Sequence, residues 1–543
     1  MEPVYVGIDF GSHSIYITTT RGSTGKQCCS QMESVMNCFK QDRKILSIMG
    51  VYKDNVYACD GSMMNYKLTP QNFVLFVRNY LGRRPSEIQN GYGYDMLQQV
   101  EEGENGSACF VFSPNGKDKE IVSSETATAY VFTELFKLIQ DRYTSFDGRH
   151  VVVSIPTVWR TDQIQTLKTI MTEVGFKDPQ FLFDIEAIAY QYNYYNLTRN
   201  GLTTTRRILF VDVGYSHSSV FCAEYSRSRV SFPFCCYSES CCGRLFDRIL
   251  TELVEEKLQP DEVREIRSRP QVMAAIRSNC EKSKYILSSE GVEDISIFVP
   301  GWSKRKEQMV EITKDDWDRR CQRYGVFHVL EMMCRDCLRT MKHVDRAVLE
   351  GSSAHFSEIR KMVDRLLQLE GQNNGTLELT SNLEEDVSRG CCIRSFCNAN
   401  PGEPQFVSQL PRNVRRVEVN QIPMCCGVNE AQNADARVST MLKEEMGYLN
   451  RMKEVPDRIA TIRKQTESVI DECQRLLKES SMSSLQTEFG SYIKDLKTTL
   501  DVGKQSVIEE AKYNYLLDLA RSLLEQIKDQ TECSSVAILD CYR

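Results

Sequence analysis

Short apolar runs ending in an acid, a glycine or a proline set the rhythm of this chain, and they predict strands. Val4 to Ile8 leads into Asp9-Phe10-Gly11 and a second apolar run follows to Thr20, so the Gly11 turn reads as a hairpin rather than a strand-to-helix loop. That excludes a simple Rossmann unit. Ile208 to Val213 repeats the device with Asp212 and Gly214, and Val220 to Glu224 and Val230 to Cys235 continue it, so the second half opens with hairpins like the first. Two related halves around one phosphate group follow, because such a turn lets backbone N–H groups approach phosphate oxygens.

Helical spacing takes over between these strands. Val131, Phe132, Leu135, Phe136, Leu138 and Ile139 form an apolar stripe on a helix predicted from about Glu125 to Tyr143. Val151 to Ile155 is a strand closed by Pro156, with Thr161 as N-cap of a helix closing at Gly175. Asp261 to Ser289 reads as a charged helical stretch broken once at Pro270, and Arg346 to Leu349 as a short strand before Gly351. Helices from Ser353 to Leu369 and from Leu383 to Asn398 complete a compact domain over residues 1–398. Residues 399–435, broken by Pro401, Pro404, Pro411, Pro423 and Gly427, are expected to be a linker with a few strand-like residues and room for a remnant of a β-sandwich, with a β-hairpin over Val407 to Cys426 left open. Residues 436–543 return to helical spacing, with Met441, Met446, Leu449 and Met452, then Ile459, Ile462, Val469 and Ile470, on one recurring face. Their spacing is not strictly heptad, so a bundle of helices is expected rather than a long coiled coil. The Met and Leu stripe suits a bundle core or a partner groove.

Composition narrows the function classes. A chain of 543 residues with 41% hydrophobic content has room for about two to four domains with real cores. Its formal net charge of −7 argues against a dominant nucleic-acid role, which leans on clustered Lys and Arg, although Arg412 to Arg416 is a local basic patch. No charged start with a long apolar segment opens the chain, and no apolar run reaches about 18 residues, so a chain without membrane contact, in the cytoplasm and also the nucleus, is expected. The 22 cysteines include five adjacent pairs, whose neighbouring side chains point apart, and no CxxC partner lies near them. Reduced thiols at small buried positions are the expectation.

The ordered motifs resemble the seventy-kilodalton heat-shock chaperone superfamily. Carrying the resemblance are Gly7-Ile8-Asp9-Phe10-Gly11-Ser12, Leu81-Gly82-Arg83, Val153-Ser154-Ile155-Pro156, Val211-Asp212-Val213-Gly214, Gly243-Arg244-Leu245-Phe246-Asp247, Cys280-Glu281-Lys282-Ser283-Lys284 and Leu349-Glu350-Gly351-Ser352-Ser353. Asp9-Phe10-Gly11-Ser12, Asp184, Asp212-Val213-Gly214-Tyr215-Ser216, Ser388-Arg389-Gly390-Cys391 and Arg416-Val417-Glu418-Val419 look most like the hundred-and-ten-kilodalton branch, whose members act as nucleotide exchange factors and holdases. The resemblance implies an α/β fold, the actin-like ATPase fold of two duplicated lobes, followed by an α-helical bundle. Between Val419 and Ala436 there is almost no room for the β-sandwich that holds peptide in typical members.

By the same resemblance the ligands are ATP or ADP with magnesium, and Asp9 and Asp212 would face the ion through its waters. Carboxylates suit magnesium, a hard cation that prefers oxygen and retains water; the residues by themselves equally suit aspartates that merely tighten turns. The backbone of Gly11, Ser12 and His13 would wrap the phosphates, with Gly214 and Gly243 across from them, and Glu281, Lys284, Ser288, Gly351, Ser352 and His355 would take the nucleoside. Glu281, Lys284 and Ser288 also read as an ordinary solvated helix face.

Several positions depart from the family. Arg78 stands at the place of a phosphate-directed lysine, Asp184 at that of a glutamate, and Ser219 at that of a carboxylate that positions water. Tyr215 and Ser216 replace flexible positions of a glycine-rich turn. Phosphoryl transfer depends mainly on positioning and electrostatics, so ATP hydrolysis is expected to be weak or absent. The function implied is a cochaperone of the exchange-factor type, with a seventy-kilodalton heat-shock chaperone and unfolded polypeptide as partners. A chaperone with residual ATPase and a ribosome-associated structural relative are the alternatives.

Overall fold

The computed structural model describes most of residues 3–417, then 455–479 and positions 490, 493–494, 517–522, 524–525 and 527–528. Within 3–417 the segments 23–27, 29, 38–41, 53–54, 93–96, 104–105, 114–118, 198–203, 227–228, 303–304, 342, 370–375, 380–382, 402–406 and 412–413 lie outside the description. The described residues fall into two compact units, one up to residue 417 and one from 455 onward.

Two large sheets of one design form the frame of the first unit, beside three smaller sheets among the described residues. The first is built from β1 (Tyr5–Asp9), β2 (Ser14–Thr20), β3 (Glu33–Ser34), β4 (Val151–Ile155) and β5 (Gln180–Phe183), in the order β5-β4-β1-β2-β3, with the short strand Ile45–Leu46 also paired to β2. The second uses β6 (Arg206–Val213), β7 (Ser218–Tyr225), β8 (Arg229–Ser238), β9 (Arg346–Glu350) and β10 (Thr376–Leu379), in the order β10-β9-β6-β7-β8. In each, an antiparallel hairpin opens the lobe and two later strands join in parallel, β4 beside β1 and β9 beside β6. The duplication expected from two acid-glycine turns is therefore a duplication of whole sheets. Central strands buried on both faces need continuous apolar sequence, which is why Leu209, Phe210 and Val211 are all fully buried.

Helices flank the sheets. In the first lobe they are α1 (Ser124–Arg142), α2 (Thr161–Val174) and α3 (Asp184–Tyr192). Thr161 is the first residue of α2 rather than its cap: the Gln163 side chain reaches back to accept from the Arg160 N–H at 3.1 Å, and Gly175, with φ of 123°, ends the helix. The second lobe carries α4 (Gly243–Lys257), α5 (Pro260–Arg267), α6 (Pro270–Leu287), α7 (Val326–Met341) and α8 (Ser357–Leu369). The charged stretch thus divides at Pro270, which opens α6 from a first-turn position where its missing N–H costs nothing. Buried thiols line this lobe's core, and all sixteen described cysteines are buried, with no disulfide among them. Cys235 and Cys236 on β8 face opposite sides of the sheet, each against a different apolar cluster, as neighbours on a strand must. Burial pushes thiols such as Cys235 and Cys241 well up, which keeps them protonated and unreactive.

One packing relation was not legible in the sequence. Helix α9 (Asp386–Ala399) returns to the first lobe and lies against β1 and α3. A Cβ on Gly7 would stand 2.1 Å from the Ser388 carbonyl oxygen, and one on Gly390 would stand 1.9 Å from that of Ala187. Only glycine permits either approach.

The linker expected at 399–435 carries more order than its prolines suggested. β11 (Val407–Gln409) and β12 (Val414–Arg416) both run parallel to β8 along its outer edge, so together they are not a hairpin. Val417 is buried in the lobe's core and Arg415 pairs with Asp336 at 2.8 Å. Residues 418–435 lie outside the description. In the second unit, α10 (Val455–Glu479) buries Thr466, Ile470 and Cys473, and the Cys473 thiol lies 3.8 Å from the Ala520 carbonyl oxygen. Leu517, Ala520 and Ile527 are also buried. The expected face from Met441 to Met452 lies outside the described residues. No described helix is long and apolar enough to cross a membrane.

Candidate functional site

A cavity of about 130 Å³ opens where β1 and β6 point their carboxyl ends at each other. Of the residues proposed from sequence, Asp9, Gly11, Ser12, His13, Arg78, Asp184, Asp212, Gly214, Tyr215, Glu281, Gly351 and Ser352 line it. Gly243, Lys284, Ser288 and Ser219 do not, nor does His355, which is exposed.

The first turn is built for close approach. A Cβ on Gly11 would stand 2.0 Å from the Ser14 carbonyl oxygen, so the β1–β2 turn admits only glycine there. Ser154, from β4, accepts from the Phe10 N–H at 3.2 Å and donates to Asp9 at 2.8 Å, fixing the acid at the strand end. The second turn closes differently from a glycine-rich one: neither Gly214, Tyr215, Ser216 nor His217 takes a positive φ. The Gly214 N–H donates to the His217 carbonyl at 3.0 Å, and the first N–H groups of α4, on Gly243 and Arg244, donate to the Gly214 and Tyr215 carbonyls at 3.0 and 2.8 Å. Donors at a helix start that would suit an anion are thus turned to the chain's own backbone.

Three carboxylates converge beneath these turns. Burial raises Asp212 to about 8, with Asp184 and Asp9 adding to the shift and Arg78 opposing it. Asp9 rises to about 6, again chiefly from burial, against the Ser154 hydrogen bond and Arg78. Burial acts on Asp184 as well, but His217 at 3.2 Å, Thr157 and the Ile185 N–H at 2.8 Å hold it below the ordinary carboxylate value. Arg78 donates to the Phe10 carbonyl at 3.0 Å and to Ser216 Oγ at 2.8 Å, so its guanidinium is held by protein atoms from both lobes. Ser219 pairs across the strands with Asp212, and its buried hydroxyl meets no hydrogen-bond partner among the described residues.

The opposite wall holds the α6 residues. Glu281 meets His13 Nε2 at 2.9 Å and Lys44 at 3.7 Å, and His13 Nδ1 lies 2.8 Å from Ser14 Oγ. Burial lowers His13, so the network assigns a neutral ring that donates from Nε2 to the Glu281 carboxylate and accepts at Nδ1. Burial works against the charge of Lys284, but Asp247 at 2.7 Å outweighs it, and the ammonium also donates to the Gly243 carbonyl at 3.2 Å. Ser288 donates to the Tyr285 carbonyl at 3.1 Å. Gly351, with φ of 80°, brings its backbone so near Asp212 that a Cβ would sit 2.5 Å from Oδ1. Between the walls stands the Tyr215 ring, 4.5 Å from the His13 ring and 4.7 Å from that of Phe76. Such aromatic pairs contribute about 0.5–1.5 kcal/mol each beyond their burial. Phe76 reaches its place with φ of 62°, a left-handed conformation that costs a bulky residue about 1–3 kcal/mol.

The oxygen donors of Asp9 and Asp212 suit a magnesium ion in charge and type. A nucleotide does not fit this arrangement, because Tyr215 occupies the path between the glycine turns and Glu281 and Lys284 are each engaged with protein partners. Sequence reasoning missed Lys44, Phe76 and His217, and it gave no role to Ser154 although that residue lies in the Val153-Ser154-Ile155-Pro156 motif. Each matters only through a partner distant in sequence.

Matched sheets that each open with an acid-bearing strand and a hairpin, and that face each other across one cleft, define the two-lobed actin-like ATPase fold. A family profile described as "Hsp70 protein" matches residues 5–398. The chain belongs to the Hsp70 family. It is 21% identical over 397 residues to "Heat shock protein 88" of Dictyostelium discoideum, covering 72% of this chain and 48% of that protein. It is 20% identical over 398 residues to "Heat shock 70-related protein 5" of the same organism, covering 72% and 74%. To "Heat shock 70 kDa protein 4" of Homo sapiens it is 22% identical over 413 residues, covering 72% and 45%. The match thus spans about half the length of the first and third of these relatives.

Proposed function

We propose that this chain is a non-hydrolysing member of the family that works as a cochaperone, binding a seventy-kilodalton heat-shock chaperone and promoting its nucleotide exchange. The observation that carries the reading is a family scaffold kept whole around a site whose reactive positions are spent on internal contacts. Arg78 bonds to Phe10 and Ser216. Ser219 supplies no carboxylate and does not line the cavity. Since transition-state stabilisation in phosphoryl transfer comes from positioned charge, these replacements support loss of turnover by orders of magnitude.

Two measurements test the two halves of the reading. The purified chain is expected to hydrolyse ATP at background rate, and an Asp212→Ala-sensitive rate above background refutes that. Labelled ADP is expected to leave a seventy-kilodalton chaperone faster when this protein is added. No acceleration at a several-fold excess refutes the exchange role and leaves the chaperone and ribosome-associated readings to be tested by refolding and cosedimentation.

A further inference from the structure

We infer that the cleft is shut by its own side chains and that its closed form is independent of nucleotide. The inference concerns the cleft alone and stands or falls apart from the exchange role proposed above.

Contacts between the lobes run the full depth of the cleft. At its floor His217, from the second lobe, meets Asp184 of the first at 3.2 Å, and Arg78 of the first lobe donates to Ser216 of the second at 2.8 Å. At mid-depth the Tyr215 ring lies against His13 and Phe76, and so joins the second lobe to two segments of the first. At the mouth Glu281 of α6 takes His13 and Lys44 together. Each level therefore carries a direct polar or aromatic link where a ligand bridging two lobes would otherwise be the common partner.

Tyr215 decides the matter because of where it stands. Its ring comes within 3.1 Å of the place a Cβ on Gly243 would occupy, and the Lys284 ammonium lies 5.2 Å from its centroid. The ring thus fills the space between the first turn and the start of α4. Phe76 holds an unfavourable backbone conformation whose visible return is its stack on the His13 ring and its tilted contact with Tyr215. A nucleotide entering this cleft has to displace the ring, part Glu281 from His13 and open the lobes. Its apparent affinity falls by the fraction of molecules already open.

The test compares hydrogen exchange and melting of the full chain with and without nucleotide. Amides of residues 11–14 and 270–287 are expected to exchange slowly without ligand, and about 1 mM Mg·ATP or Mg·ADP is expected to leave both exchange and Tm unchanged, since a ligand stabilises only a state it binds. A Tm rise of several degrees, or slowing of exchange in those segments by about tenfold, overturns the inference. Glu281→Ala removes the acceptor at the mouth with little risk to folding, because that side chain is 32% exposed. It is expected to speed exchange in both segments about tenfold while leaving β1 and α9 protected, the signature of local opening. Tyr215→Gly is expected to do the same more strongly. Wild-type exchange rates in folded Glu281→Ala overturn the inference.

Discussion

Asp212 carries the most displaced of the carboxylates that face the cavity, and the displacement has a definite sign. An acid whose pKa stands at about 8 in the fold and near 4 in the unfolded chain keeps its proton longer when folded. Its contribution is complete below about pH 4 and is lost as pH rises through about 8, because the native state binds more protons over that window. Asp9, at about 6, adds a smaller contribution of the same sign. In magnesium-free buffer the Tm of the chain is therefore expected to fall between pH 6 and pH 8.5. Asp212→Asn removes the charge and keeps the shape, and is expected to raise Tm at pH 8 by at least about 2 °C and flatten the profile. A Tm at pH 8 equal to or below wild type in a melting scan counts against this account of the site. Lys284 presents the opposite case, a cation 1% exposed that depends on Asp247. Lys284→Met is expected to cost about 3–5 kcal/mol by stranding the Asp247 carboxylate, and Lys284→Met with Asp247→Asn to recover part of it in urea melts. Several of these residues, Asp9, Asp212, Glu281 and Lys284 among them, were singled out through the family resemblance of their motifs, since by themselves they also suit turn aspartates and a solvated helix face. Their partners were not, since the hydrogen bond from His13 to Glu281 is fixed by where two lobes bring distant segments and not by anything local to either.

Among the elements, α9 depends most on absent atoms. Gly390→Ala places a methyl 1.9 Å from a backbone oxygen of α3, which no rotamer can relieve, so the helix must lift. A loss of about 2–3 kcal/mol or more in a denaturant titration is expected, the range of overpacked cores, whereas a loss below about 0.5 kcal/mol refutes the packing. The edge of β8 makes a second case. β11 and β12 cover it, and an uncovered strand edge is a template for pairing with another chain. A chain ending at residue 400 is expected to aggregate on heating at a lower temperature than one ending at residue 417, measured by light scattering. Strand and helix positions were largely legible, because apolar runs closed by Gly or Pro and stripes at helical spacing encode them locally. The two edge strands were not, since Val407–Gln409 and Val414–Arg416 sit among prolines and gain their order only from β8.

At the scale of the whole molecule, the first unit is a two-sheet frame and the second a helical one. If both serve the proposed exchange role, a chain ending at residue 442 is expected to lose its acceleration of ADP release at matched concentration. Full acceleration by that truncation assigns the role to the first unit alone. By itself the sequence determined that there are two halves, each opened by an acid at the end of an apolar strand and a tight turn, and that several positions of the second turn had changed. Those features are local: a glycine that must lack a side chain, a run that must be buried, an acid at a strand end. Only the tertiary structure decided what the changed residues do. Tyr215 is one tyrosine in a turn until the fold sets it against His13 and Phe76, and Arg78 one arginine until Ser216 comes within 2.8 Å. Contacts across a cleft depend on how two separately formed lobes meet, and no window of sequence contains both sides.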